Sequence, residues 1–226
     1  MSAVPVITVD GPSGAGKGTI SHLLSDTLGW HFLDSGALYR VVGHACLIES
    51  VSWDDHSAVA DVARHLDVSF TLADDGEVLV AYKNIDVSRV IRTEEGGRGA
   101  STVAAIPAVR SALLRRQREF CQTPGLIADG RDMGTVVFPD APLKFFLTAS
   151  ATERAERRHK QLIAKGGSVS LPRLLEAIEE RDARDSSRSI SPLVPAEDAV
   201  LVDSTGVSIE QVFATVMTKV KEIGLF

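Results

Sequence analysis

The hydrophobic positions of this chain switch repeatedly between two periods. Val6-Ile7-Thr8-Val9-Asp10 is a continuous β-branched run, the pattern of a strand buried on both faces, and it opens directly onto Gly11-Pro12-Ser13-Gly14-Ala15-Gly16-Lys17-Gly18-Thr19. Over 19–28 the apolar residues Ile20, Leu23, Leu24 and Leu28 recur at helical spacing. Trp30-His31-Phe32-Leu33 reads as a short extended run ending at Asp34-Ser35-Gly36, and 37–48 as a helix apolar on one face, with Asp34 or Ser35 placed to cap it. The texture changes from about His65 to Thr93, where Val68-Ser69-Phe70-Thr71-Leu72, a turn at Asp74-Asp75-Gly76 and Val78-Leu79-Val80-Ala81-Tyr82 describe a small hairpin. A longer helix is predicted over 106–120. Leu126-Ile127-Ala128-Asp129 and Leu143-Lys144-Phe145-Phe146-Leu147 read as central parallel strands, followed by two helices, a late strand over 199–202 and a closing helix from Ser208.

Such alternation predicts an α/β fold with a doubly wound parallel sheet of about five strands, ligands lying at the carboxyl ends of the strands and the hairpin inserted. At 226 residues, 44% hydrophobic and 24% charged, the chain can build one sizeable core and one inserted subdomain. No apolar stretch approaches the ~18 residues of a membrane span. The first Lys or Arg is Lys17, so no signal peptide is read, and a cytoplasmic protein without membrane association is expected. Cys46 and Cys121, both within helical patterns, are read as buried reduced thiols. His22, His31, His44, His56, His65 and His159 form no pair at metal-ligand spacing. The net charge of −6 disfavours a nucleic-acid polymer as partner, so any anion site must rest on local positive charge. Residues 151–190 supply it, with nine of the 24 Lys and Arg.

The glycine-rich loop supplies the chemistry. Glycines let successive backbone N–H groups turn inward, and the following helix aims its positive end at the same point, so the loop is a phosphate cradle and a nucleoside triphosphate the implied ligand. The G-x-x-x-x-G-K spacing is met, but Gly18 stands where a metal-binding Ser or Thr usually follows the lysine, with Thr19 one place later. Three further segments should meet the loop at the strand ends: Asp34-Ser35-Gly36, Asp129-Gly130-Arg131-Asp132 and the arginine-rich helices beyond Ser150. Arg154, Arg157 and Arg158 fall on one helix face, as do Arg181, Arg184, Asp185 and Arg188 over two turns. Such stripes alone also suit a solvated surface.

Four motifs carry a closer likeness: the loop over 11–19, Leu33-Asp34-Ser35-Gly36-Ala37-Leu38-Tyr39-Arg40, the run from Ala128 through Asp129-Gly130-Arg131-Asp132 to Pro139, and Arg181-Asp182-Ala183-Arg184-Asp185. Through them nearly the whole chain resembles the bacterial cytidylate kinases, nucleoside monophosphate kinases that move the γ-phosphate of ATP onto CMP or dCMP. The Gly18-Thr19 form of the loop is also found in that group. The resemblance implies a P-loop NTPase-type core (1–62, 101–150 and 190–226), a β-rich monophosphate-binding insertion (63–100) and a helical, arginine-rich lid (151–189). It implies that Gly11, Pro12, Ser13, Gly14, Ala15, Gly16, Lys17, Gly18 and Thr19 bind ATP with the lid residues Arg154, Arg157 and Arg158. Ser35, Arg40 and Arg131 would hold the acceptor phosphate, Arg181 and Asp185 the pentose, and Ser101, Arg110, Asp132 and Arg188 the base. Lys17, Arg131, Arg154 and Arg158 would act on the transferring group, and Asp129 is the candidate ligand for Mg²⁺. A monomer is expected. Without the resemblance, Ser101 and Arg110 would pass as a helix cap and a surface charge. Two other readings stay open at this point: a kinase of the same fold acting on UMP, AMP or a hydroxylated metabolite, and a nucleotide-operated switch.

Overall fold

The computed structural model describes residues 4–72, 78–164, 166 and 168–225. The chain divides into two compact units, one formed by residues 1–34 and 117–226 and the other by Ser35–Arg116. The first contains a five-stranded, wholly parallel sheet. Its strands are β1 (Val6–Asp10), β2 (His31–Asp34), β6 (Leu126–Gly130), β7 (Leu143–Thr148) and β8 (Val200–Asp203), in the order β2-β6-β1-β7-β8. Strand β1 is central and buried along its whole length, which is why its sequence runs apolar rather than alternating. Ile7, Val9, Ile127, Phe145, Leu147 and Val202 of the sheet pack with Ile20 and Leu24 of α1 (Lys17–Leu28) and with Val212, Val216 and Val220 of α8 (Ile209–Glu222). Helix α8 begins with a capping box in which Ser208 and Gln211 satisfy each other's backbone amides.

In the second unit, β3 (Val68–Leu72) and β4 (Val78–Tyr82) pair antiparallel as expected, and a third strand, β5 (Ile85–Asp86), joins β4. The Asp74-Asp75-Gly76 turn lies outside the described residues. The unit, Ser35–Arg116, contains the 63–100 segment that the resemblance implies together with α2 (Ser35–Ile48), α3 (His56–Arg64), the end of α4 (Glu94–Val103) and α5 (Pro107–Glu119) as far as Arg116. Helix α2 starts at Ser35 itself, two residues before the sequence pattern suggested, so Ser35 is its first residue rather than an outside cap. Helices α3 and α4 were not anticipated. Their N-termini are capped by Asp55, which accepts from Ala58 N, and Thr93, which accepts from Gly96 N. The glycines of α4 disguise it in sequence, yet they are what packing requires: a Cβ on Gly99 would stand 2.8 Å from the Trp53 ring. Cys46 is buried in α2, whereas Cys121 lies just beyond the end of α5 and is only partly buried; both thiols are free. Among the described residues no helix is long and apolar enough to cross a membrane.

Candidate active site

The parallel sheet brings the carboxyl ends of β1, β6, β7 and β8 to one edge of the first unit, and the segments leaving them carry the candidate chemistry. Gly11 begins the loop at φ 142°, where a Cβ would lie 1.9 Å from the Leu147 carbonyl oxygen of β7. Only glycine can pass there. Lys17, the first residue of α1, curls back so that Nζ donates to the Pro12 carbonyl at 3.0 Å. The same Nζ lies 3.9 Å from Oδ1 of Asp129 on β6. Burial lowers the lysine pKa, assisted by the positive charge of Arg131 and opposed by Asp129. Burial likewise raises the Asp129 carboxyl, with Lys17 opposing and Asp34, its register partner on β2, reinforcing.

Two helices follow β7: α6 (Ala151–Ala164) and α7 (Leu171–Ser186). Arg154 on α6 is 4% exposed, and its guanidinium donates to the Ala149 carbonyl at 2.9 Å, to the Ser13 carbonyl at 3.1 Å and to both carboxylate oxygens of Asp182 on α7. Arg181 donates to the Ser13 hydroxyl at 3.3 Å. Ser13 in the glycine loop is therefore gripped from both helices, and Gly14 permits the approach, since a Cβ there would be 3.2 Å from Arg154 Cβ. Arg157 points elsewhere: it donates to Glu153 at 2.8 Å and to the Ser204 hydroxyl at 3.1 Å beyond β8. Arg158 is half-buried on the same helix.

Asp185, 1% exposed, gathers a second cluster. It accepts from Arg131 Nε at 3.3 Å and from Arg188, and Arg181 Nε lies 4.0 Å away. The expectation that Arg181, Arg184, Asp185 and Arg188 share one helical stripe needs correction. Arg188 lies past the C-cap Ser187 and reaches back to Asp185, while Arg184 is exposed. Asp185 is thus the hub of an arginine cage, its charge offsetting cations that would otherwise repel one another.

Asp10 and Asp132 complete this edge. Asp10 accepts the Met133 and Gly134 amides, each at 2.8 Å, on its two carboxylate oxygens. Burial nevertheless pushes its pKa up to about 7 against those hydrogen bonds, and Asp132 adds a like charge nearby. Asp132 itself is 3% exposed.

The other four acceptor candidates belong to the second unit. Ser35 is buried at the start of α2, and Arg40, one turn on, donates to the Ile91 carbonyl at 2.7 Å. Ser101 is 3% exposed inside α4. Arg110 of α5 is 9% exposed, donates to the Ala104 carbonyl at 3.2 Å and lies with its guanidinium carbon 5.6 Å from the Tyr39 ring centroid. Neither is the cap or surface charge that their local sequence suggests.

Sequence reasoning missed Asp10, Asp182 and Ser204. Asp182 stood next to a noted arginine but carries no local signal that its partner is Arg154 on another helix. Asp10 reads locally as the polar end of a strand.

Guanidinium and ammonium groups converging on a glycine loop suit the stabilisation of phosphoryl groups in transfer, and this edge accordingly belongs to the class of nucleotide-dependent kinases. Residues 7–222 match the cytidylate kinase family model. The chain is 60% identical over 213 residues to the cytidylate kinase of Aeromonas salmonicida, covering 94% of this chain and 92% of that one. It is 56% identical over 224 residues to that of Pseudomonas paraeruginosa, covering 99% and 98%. A solved structure of an uncharacterized protein from Eubacterium ventriosum shares the fold, with a TM-score of 0.54 at 10% identity, covering 97% of this chain and 99% of that one. The chain belongs to the cytidylate kinase family.

Proposed function

We propose that this protein transfers the γ-phosphate of Mg·ATP to CMP or dCMP, giving ADP and CDP or dCDP. The observation that carries the reading is the grip of Arg154 and Arg181 on Ser13, beside a lysine curled over the same loop, because it gathers cations where a triphosphate would lie. The family supplies the acceptor.

No catalytic base is needed. A phosphate monoester has a second pKa of about 6, so near neutral pH the acceptor is mostly a dianion and already a nucleophile. The task left to the protein is to hold two polyanions in line and to offset the charge on the transferring group. Residues 11–19 would cradle the donor phosphates, and Lys17, Arg131, Arg154 and Arg158 would meet the transferring group. Arg157 would help hold ATP after exchanging its present partner, Ser204. Arg154 is paired with Asp182 and Arg131 with Asp185. Phosphate oxygens can replace those carboxylates bidentately, so ligand binding and re-pairing of the arginines are one event. The α6–α7 segment then acts as the lid that keeps water from competing as acceptor.

The residues suit Mg²⁺. A Cβ on Gly18 would lie 3.5 Å from Asp129 Oδ2, so the carboxylate reaches the space that a hydroxyl after the lysine would otherwise occupy. Hard oxygen donors, few from protein and the rest from phosphate and water, are what this ion takes. Asp129 would hold it directly or through water, and when bound it would neutralise charge on the donor phosphates.

For the acceptor, the first unit provides Arg131 for the phosphate, Arg181 and Asp185 for the pentose, and Asp132 and Arg188 for the base. In the second unit, the resemblance of the motifs makes Ser35 and Arg40 candidates for an acceptor phosphate and Ser101 and Arg110 candidates for a base. Cytosine offers an exocyclic amino donor beside ring acceptors, which a carboxylate and arginines can read together. Uracil would set a carbonyl against Asp132, at a cost of about 1–3 kcal/mol, or roughly 5- to 150-fold in preference.

The experiment that tests the reading is ADP formation from Mg·ATP with CMP, dCMP, UMP, AMP and GMP offered separately, beside a blank without acceptor. Fast turnover with CMP and dCMP supports it; no acceptor exceeding the blank would overturn it.

A further inference from the structure

The turn Met133–Val137 that follows Asp132 is π-helical, and its N-cap, Asp132, makes no side-chain cap hydrogen bond. The first amides of any helical turn lack partners within it and need acceptors from elsewhere. Here the acceptors come from another strand. Asp10, the last residue of β1 and 5% exposed, takes the Met133 and Gly134 amides on separate oxygens, each at 2.8 Å. Strand β1 and β6 are register partners at Asp10 and Gly130, so the backbone is held on both sides of Arg131-Asp132: by the β-ladder before and by the Asp10 carboxylate after. A carboxylate offers two acceptor oxygens to two donors; asparagine would offer one acceptor and turn an NH₂ toward the other amide.

We infer that Asp10 is a positioning residue for acceptor recognition, fixing through the 133–134 backbone the direction in which Arg131 and Asp132 present their side chains. This rests on the proposed role of those two residues toward CMP. Because Asp10 also precedes Gly11 of the donor loop, a merely structural role would disturb donor and acceptor alike. A positioning role shows in acceptor binding and base preference, and in turnover through Arg131, while the KM for ATP stays near that of the wild type.

The opposite face of the same segment provides an independent handle. A Cβ on Gly134 would lie 2.8 Å from the Thr8 hydroxyl and 3.1 Å from Lys144 Cδ, so Gly134→Ala displaces the segment while leaving Asp10 intact. The Thr8 hydroxyl is buried and has no hydrogen-bond partner among the described residues, so Thr8→Ala makes room at little cost.

The test is steady-state kinetics on wild type, Asp10→Asn, Gly134→Ala and the Thr8→Ala/Gly134→Ala pair, varying ATP, CMP and UMP in turn. In Asp10→Asn the KM for CMP is expected to rise roughly tenfold and the CMP:UMP preference to fall by about fivefold, with the KM for ATP within about twofold of wild type. Gly134→Ala should give the same acceptor-selective pattern, and adding Thr8→Ala should restore much of it. Parallel losses toward ATP and CMP, or an unchanged CMP:UMP ratio in either folded variant, would overturn the inference. If Asp10→Asn does not fold, the Gly134 series decides. Wild type that fails to use CMP at all would instead overturn the proposed function, so the two failures are distinct.

Discussion

Lys17 Nζ stands 3.9 Å from Oδ1 of Asp129, and burial drives each of the two toward its neutral form. The charge of each opposes that shift in the other. In the proposed reading the pair belongs to the donor site, its charges partly balanced internally. Lys17→Ala should therefore lower kcat by about two to four orders of magnitude while leaving CMP affinity nearly unchanged. Equal losses in both, measured by initial rates and direct CMP titration, would place the lysine elsewhere in the cycle.

Asp132 is buried at the end of the Arg131-Asp132 segment, where a carboxylate can accept from an amino group but not from a carbonyl. Asp132→Asn is expected to narrow the CMP:UMP preference, since the amide can present either an acceptor or a donor. The ratio of kcat/KM for the two acceptors is the readout, and an unaltered ratio would remove Asp132 from base recognition.

Arg131 is paired with Asp185 at 3.3 Å, and in the proposed reading a phosphate takes the carboxylate's place. Arg131→Ala should weaken CMP binding by about tenfold or more but leave cytidine binding almost untouched. Calorimetric titration with both ligands separates the cases, and comparable losses would mean that the arginine does not hold the phosphate.

Arg154 is buried and its carboxylate partner Asp182 is the more exposed of the two, at side-chain exposures of 5% and 26%. Asp182→Ala would leave a desolvated guanidinium short of its counter-charge, costing about 1–3 kcal/mol of stability without ligand. Saturating ATP should recover part of the lost melting temperature, because phosphate supplies the missing charge and ligand binding adds native-state stability. A deficit that ATP does not reduce would show that Arg154 does not reach the nucleotide.

The Asp10 carboxyl sets a pH dependence of sign opposite to that of a paired surface carboxylate. Its pKa rises from 3.8 to about 7 on folding, so between these values the folded protein binds the extra proton and the group's contribution to stability declines as pH rises. Below about pH 4 that contribution is fully present. The difference in melting temperature between wild type and Asp10→Asn should accordingly be greatest near pH 4 and shrink toward pH 7. A difference independent of pH would contradict the raised pKa.

Much of this architecture was legible because its signals are local. A β-branched run entering a glycine loop and a helix, the apolar runs of β6 and β7, and the alternation of strand and helix depend on neighbours a few residues apart, and the parallel sheet of five strands follows from them. The hairpin of β3 and β4 was equally plain, but β5, two residues long, has no periodicity to display. Helix α4 hid behind glycines that ordinarily disfavour a helix; the packing of Gly99 against Trp53 overrides that propensity.

What the sequence by itself determined is the loop, the strands that present it and the inventory of arginines and carboxylates near the strand ends. The tertiary structure alone decided how those charges pair. Arg154 turns to Ser13 and Asp182, Arg157 to Ser204, Arg131 and Arg188 to Asp185, and Asp10 to two amides 123 and 124 positions along the chain. Periodicity reports which side of its own element a residue occupies. A charge's partner is set by which elements the core brings together, and that is decided by burial of apolar surface elsewhere in the chain.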